Sequence, residues 1–146
     1  MSNKTLGYVL VVLQILGIIL CSLPFNNTKA FTWGLFLFAM GIGAGLVTIY
    51  FNHPSNFSIY PEPKNNATLI TRGPYKYIRH PMYTSLFITM LGITIYNFHY
   101  LNFIGLITLT MVLIIKANVE ESSLKKHFPT YVGYMAKTKR FIPFIF

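Results

Sequence analysis

Charge is scarce and one-sided in this chain. Of 146 residues only 10% are charged, and 12 Lys+Arg stand against 3 Asp+Glu. A soluble domain carries about 25% charged residues. The deficit, with 53% of residues in the hydrophobic set and a mean hydropathy of +0.52, excludes an ordinary soluble domain. A basic excess in a soluble protein would point to nucleic acid. Here the basic residues border apolar runs, where anionic headgroups and membrane orientation account for them. Cysteine is reduced to Cys21 alone, which excludes an intrachain disulfide and any Cys-based zinc pattern. Cys21 is expected to face lipid or a neighbouring helix. His53, His99 and His127 have no partners at ligand spacing, so no metal site is expected. No internal repeat and no low-complexity tract interrupts the chain, which reads as a single domain over 1–146.

What the sequence has instead is apolar runs, at 6–23, 30–51, 82–98 and 101–115. The first two meet the requirement of roughly 20 apolar residues for a bilayer crossing. The last two are shorter and separated only by Phe98, His99 and Tyr100, which predicts a helical hairpin. Open sheet edges cannot sit in lipid, so all four are expected as helices, over 6–23, 30–51, 81–98 and 101–127. A polar loop over 52–80 and a tail over 116–146 complete the chain, the tail's first part continuing the fourth helix. The fold class is therefore all-α: an integral-membrane bundle of about four transmembrane helices with a helical tail. Lys4 before the first run has the outline of an export signal. However, Leu20 is too bulky to precede a lipidated cysteine, and no A-x-A site follows, so a retained first helix is expected. With four crossings, eleven basic residues fall on the side of the termini and Lys29 alone on the other. The positive-inside rule then puts both termini in the cytoplasm.

The scarce polar chemistry is concentrated at 72–83, RGPYKYIRHPMY. Gly73 and Pro74 are turn residues, one free in its dihedrals and the other fixed in φ. Pro81 suits the first turn of a helix. The open N–H groups of that turn, beside Arg79 and His80, form a ready place for a carboxylate or phosphate. Taken singly, Arg72, Lys76 and Arg79 read as headgroup anchors and the tyrosines as an interfacial belt. An anchor, however, needs neither the histidine nor two rigid turns.

This stretch resembles the signature of the isoprenylcysteine carboxyl methyltransferase family and its phospholipid N-methyltransferase relatives, membrane enzymes that use S-adenosylmethionine. A similar RHPxY core occurs in membrane sterol reductases that use NADPH. The tail, with Lys116-x-x-x-Glu120-Glu121, then HFPTYxxY at 127–134 and KxxRFIP at 137–143, resembles the methyltransferase pattern. Lys116 stands where that family usually has Arg, and Ser85 near its usual Gly. The resemblance implies a loop and tail that bind S-adenosylmethionine at the cytoplasmic end of the bundle. The expected cofactor residues are Gly73, Pro74, Tyr75, Tyr77, Arg79, His80, Pro81, Tyr83, Lys116, Glu120 and Glu121. His80, Arg79 and Arg140 are the expected catalytic group. In this reading carboxylates meet the cationic parts of the cofactor, Arg79 and the helix end meet its carboxylate, and tyrosines line a slot for adenine. The implied reaction is methyl transfer to a lipidic or hydrophobic acceptor that enters from the bilayer, such as an isoprenylcysteine-like carboxylate. A phospholipid amine is the alternative acceptor, and an NADPH-dependent reductase or a non-enzymatic scaffold the alternative function.

Overall fold

The computed structural model describes residues 3–25, 31–52 and 68–145. Four long helices and one short one follow in order: α1 Asn3–Ser22, α2 Trp33–Phe51, α3 Pro81–Asn97, α4 Tyr100–His127 and α5 Tyr131–Lys137, with a 3-10 turn at Gly73–Lys76 before α3. Among the described residues there is no strand, only one isolated bridge between Ile78 and Lys139. Of the loop expected at 52–80, residues 53–67 lie outside the described residues, and His53 and Lys64 with them. α1, α2 and α4 are long and apolar enough to cross a membrane. α3 has 17 residues, about 26 Å at 1.5 Å per residue, the short end of what a bilayer accepts. This is an integral-membrane helical bundle.

The bundle is two tightly packed pairs, α2 against α3 and α1 against α4, joined through the α3–α4 hairpin. In lipid no hydrophobic drive brings helices together, so close backbone approach through small residues must do it. The α2–α3 seam is built that way. A Cβ added at Gly34 would strike the carbonyl of Gly92, one at Gly92 would strike the backbone of Phe38, and one at Gly41 would strike Thr89. Side chains elsewhere on α1, α2 and α4, among them Val12, Ile15, Phe36, Leu46, Ile107 and Met111, are apolar and exposed, as a lipid-facing surface requires.

At the far end from the polar loop, Asn102 is fully buried. Its amide nitrogen donates to the carbonyls of Leu20, Cys21 and Leu23 at 2.8, 2.9 and 2.9 Å. The carbonyls of Leu20 and Cys21 are among those that the end of α1 leaves without helical partners, and lipid offers none. Cys21 is buried at this knot, its thiol toward the Asn102 carbonyl at 3.7 Å; it faces a helix rather than lipid. Between α3 and α4, Phe98 adopts a left-handed conformation (φ 46°) that ends α3. The His99 ring then accepts from Leu101 N–H to start α4.

Candidate functional site at the amino end of the third helix

The stretch around Pro81 is held by backbone before any side chain acts. Gly73 sits at φ +61°, with the Phe51 ring where a Cβ would go. The carbonyl of Pro74 accepts from Tyr77 and Ile78 N–H, closing the turn. Residues 77–80 then run parallel to the tail: Lys139 N–H donates to Tyr77 O at 3.0 Å, Arg79 N–H to Lys139 O at 2.8 Å, and His80 N–H to Arg140 O at 3.1 Å. Thr84, on the first turn of α3, adds a hydroxyl bond to Phe141 O at 2.9 Å. The tail is thereby strapped to the entrance of α3, and the side chains of Arg79, His80 and Arg140 are aimed at α4.

On α4 they meet the two glutamates, whose surroundings differ sharply. Glu121 is buried. Its carboxylate accepts from Arg79 Nε at 2.8 Å and from Arg140 Nη2 at 2.7 Å, and lies 3.1 Å from His80 Nε2. Glu120 keeps a third of its side-chain surface. One of its oxygens accepts from the Tyr83 hydroxyl at 2.9 Å and lies 3.6 Å from His80 Nδ1. A carboxylate oxygen therefore lies near each nitrogen of the His80 ring, within hydrogen-bond distance at Nε2 and just beyond it at Nδ1. The ring itself stacks on Tyr83 at 5.3 Å with planes 3° apart, and Phe141 closes it from another side at 5.7 Å.

The two arginines are committed within the protein. Besides Glu121, Arg79 donates to the carbonyls of Met135 and Thr138, where its charge suits the carboxyl end of α5. Arg140 donates to Asn118 Oδ1 at 2.8 Å. Arg79, expected to meet a ligand's carboxylate, joins α4 to the tail through Nε and Nη1 of its guanidinium. Lys116 is also turned inward. Its ammonium donates to Gln14 on α1 at 2.7 Å and stands 5.9 Å above the Tyr83 ring.

Of the sequence-selected residues, Arg79, His80, Tyr83, Glu120, Glu121 and Arg140 therefore share one cluster, with Lys116 beneath it. Gly73, Pro74 and Pro81 shape the backbone around it. Tyr75 is half-buried, and burial, with the neighbouring Glu120 charge, pushes its hydroxyl well above the usual range. Tyr77 does not join the cluster: it is 50% exposed, with its ring against Phe144. Sequence reasoning missed Gln14, Asn118 and Thr84, which nothing local distinguishes. It also assigned no role to Tyr134, whose hydroxyl bonds Tyr75 O at 2.6 Å, or to buried Tyr131, whose hydroxyl has no partner among the described residues. Both lie in the HFPTYxxY run, which was the available signal. Among the described residues no group of three or more His, Cys, Asp or Glu is placed to hold a metal ion.

Comparison with known proteins puts this geometry in context. A family model described as phospholipid methyltransferase matches residues 29–131, well over half of the chain. The chain belongs to the phospholipid methyltransferase family. The matched region includes His80, Tyr83, Glu120 and Glu121 and stops before Arg140, so the strap that completes the cluster lies beyond it. The chain is also 26% identical over 88 residues to the nickel-cobalt-cadmium resistance protein NccN of Alcaligenes xylosoxydans xylosoxydans. That alignment covers 59% of this chain and 41% of the relative. The chain thus spans less than half the length of that relative.

Proposed function

We propose that this family member transfers a methyl group from S-adenosylmethionine to a lipidic or hydrophobic acceptor at the cytoplasmic face of a membrane. The orientation follows from the eleven-to-one division of basic residues. The observation that carries the reading is the unequal environment of the two glutamates. Glu121 is neutralised by Arg79 and Arg140 and lies 3.1 Å from His80 Nε2. Glu120 sits beside it with a third of its surface open and one oxygen bonded only by Tyr83. That open carboxylate at an aromatic rim fits a ligand carrying cationic and aromatic parts. Glu120 would hold the ammonium or ribose of S-adenosylmethionine, with Tyr75 and Tyr83 beside the adenine. Bound there, the cofactor supplies a methyl group on a positively charged sulfur, open to direct displacement.

The protein's own contribution is position, dryness and a proton acceptor. The strap at 138–141 and the rings of Tyr83 and Phe141 exclude water from His80, which strengthens every electrostatic contact inside. An acceptor delivered along the bilayer arrives with its polar group at the rim, where orientation does most of the work. A carboxylate acceptor, as on an isoprenylcysteine-like lipid, needs no base. A phospholipid amine must lose a proton, and His80, flanked by Glu120 and Glu121, is placed to take it. That flanking histidine, together with the family's description, favours the amine as the second acceptor chemistry to test.

Calorimetry with detergent-solubilised protein tests the reading directly. The wild type is expected to bind S-adenosylmethionine and Glu120→Gln to bind it at least about tenfold more weakly, with an unchanged melting temperature. Labelled donor with membrane lipid, read by mass spectrometry, then identifies the acceptor. Stabilisation by NADPH instead would mean a reductase, and no response to either cofactor would mean a scaffold.

A further inference from the structure

The tail does more than carry Arg140. Beyond it, the chain turns from basic to apolar within a few residues. Lys137 and Lys139 are exposed, and after Phe141 come Ile142, Phe144 and Ile145, exposed by 49, 83 and 75%. Ile145 N–H bonds Ile142 O at 3.2 Å, closing a turn around Pro143 that presents these side chains outward. Tyr77, 50% exposed, joins the patch through its ring contact with Phe144 at 6.3 Å. Lys76, over the Tyr77 ring at 5.9 Å, borders it with positive charge.

The depth of this patch is fixed by hydrogen bonds. Phe141 O is held by the Thr84 hydroxyl, one turn inside α3, while Lys139 lies level with Ile78, outside that helix. The apolar turn therefore sits where the third span enters the bilayer, with the lysines one step toward water. Apolar side chains at the acyl boundary with Lys and Arg above them are the arrangement of a segment that lies in a membrane interface, drawn by anionic headgroups.

We propose that residues 141–145 with Tyr77 form a membrane-interface wedge. Its partner is an anionic lipid surface, with Lys76 and Lys139 above the phosphates. The proposal does not depend on the methyltransferase reading. Its consequence reaches the candidate site, because the same strap positions His80 and Arg140 through the backbone bonds at 77–80. Anionic lipid would therefore order the cluster around Glu121 as well as the wedge.

Hydrogen exchange of the full chain in nanodiscs tests this, using phosphatidylcholine alone or with about 30% phosphatidylglycerol. Amides of the tail past Lys137 are expected to exchange at least about fivefold more slowly in the anionic discs, and the difference should shrink at high salt. Lys76→Gln with Lys139→Gln should abolish the lipid difference. Phe144→Ser with Ile145→Ser should speed exchange in both lipids while melting of the bundle stays unchanged. Equal exchange in neutral and anionic discs overturns the proposal. So does protection that the Ser variants leave intact, or protection that rises with protein density in neutral lipid, which would mean a second copy of the chain covers the patch.

Discussion

Replacing Glu121 by Gln keeps the shape of a buried side chain and removes one negative charge from beside two guanidinium groups. Only 3% of the Glu121 side chain is exposed, and Arg79 and Arg140 are 10 and 22% exposed. Breaking a buried ion pair by removing one partner costs about 3–5 kcal/mol, because the surviving charge is left uncompensated. Arg79 retains two carbonyl acceptors and Arg140 retains Asn118, which places the loss at the lower end, about 3 kcal/mol. For a chain of this size that corresponds to a fall in Tm of roughly 6–12 °C. Glu120→Gln is the matched control. That side chain is a third exposed, and the amide oxygen can still accept from Tyr83, so its cost stays below about 1 kcal/mol. Thermal unfolding of both variants in detergent, followed by circular dichroism, gives the comparison. A Glu121→Gln protein melting within about 2 °C of wild type would refute the assignment of Glu121 as the fastening residue. It would also remove the physical basis for separating the two glutamates.

Other outcomes follow from the same structure. Asn102→Ala loses an amide whose two hydrogens serve three carbonyls at the end of α1; at about 0.5–1.5 kcal/mol per hydrogen bond it should cost about 1–3 kcal/mol, measured by chemical denaturation. Gly92→Ala drives a methyl group into the backbone of α2 at Phe38, and overpacking of this kind costs about 1–3 kcal/mol; a crosslinking assay between α2 and α3 should register the displaced seam. Burial pushes the Tyr134 hydroxyl up to about 12, against the pull of the Arg79 charge. Because the folded value lies above the unfolded one, its contribution is complete below about pH 10 and is lost as pH rises toward 12. Proteolysis of the tail should stay slow up to pH 10 and accelerate above it, and Tyr134→Phe should lessen that step, the remainder coming from Tyr75 and Tyr131, whose hydroxyls burial also pushes up.

The spans were legible because lipid allows few alternatives: a run of apolar residues bounded by Pro, Asn or charge becomes a helix. Bounds shifted by a few residues, as at α1, which starts at Asn3 rather than 6, and at α2, which starts at Trp33 rather than 30. Pro81 marked the start of α3 through its own backbone chemistry. What hydropathy does not encode is which helix meets which. The glycine seam at Gly34, Gly41 and Gly92 and the Asn102 knot join residues far apart in sequence with no local periodicity to announce them. Lys116 illustrates the limit. It was singled out by its place before Glu120 and Glu121, and its ammonium reaches across the bundle to Gln14, 102 positions away. The cluster itself was half legible. Its residue types stood out because charge is so rare, while the parallel pairing of 77–80 with the tail, which brings Arg140 to Glu121, left no trace in composition.

The position of the cluster follows from the same scarcity. An ionised side chain within hydrocarbon is costly at any depth unless it is paired or can reach water. In this chain Arg79, His80, Glu120, Glu121 and Arg140 lie where α3 begins and α4 runs out of apolar sequence. There the pairing of Glu121 with Arg79 and Arg140 satisfies the buried charges of the cluster, Lys116 beneath it is met by Gln14, and the exposed edge of Glu120 remains open to the rim. On the proposed reading, a polar ligand would be held on that side while an acceptor's hydrocarbon stays in the bilayer, so neither would have to cross into the other's solvent. Moving the carboxylate pair one turn deeper, to positions 116 and 117, would separate it from both arginines, with Gln14 as the polar neighbour at 116. Such a variant should fail to insert or fold, whereas the pair at its native positions is compatible with both.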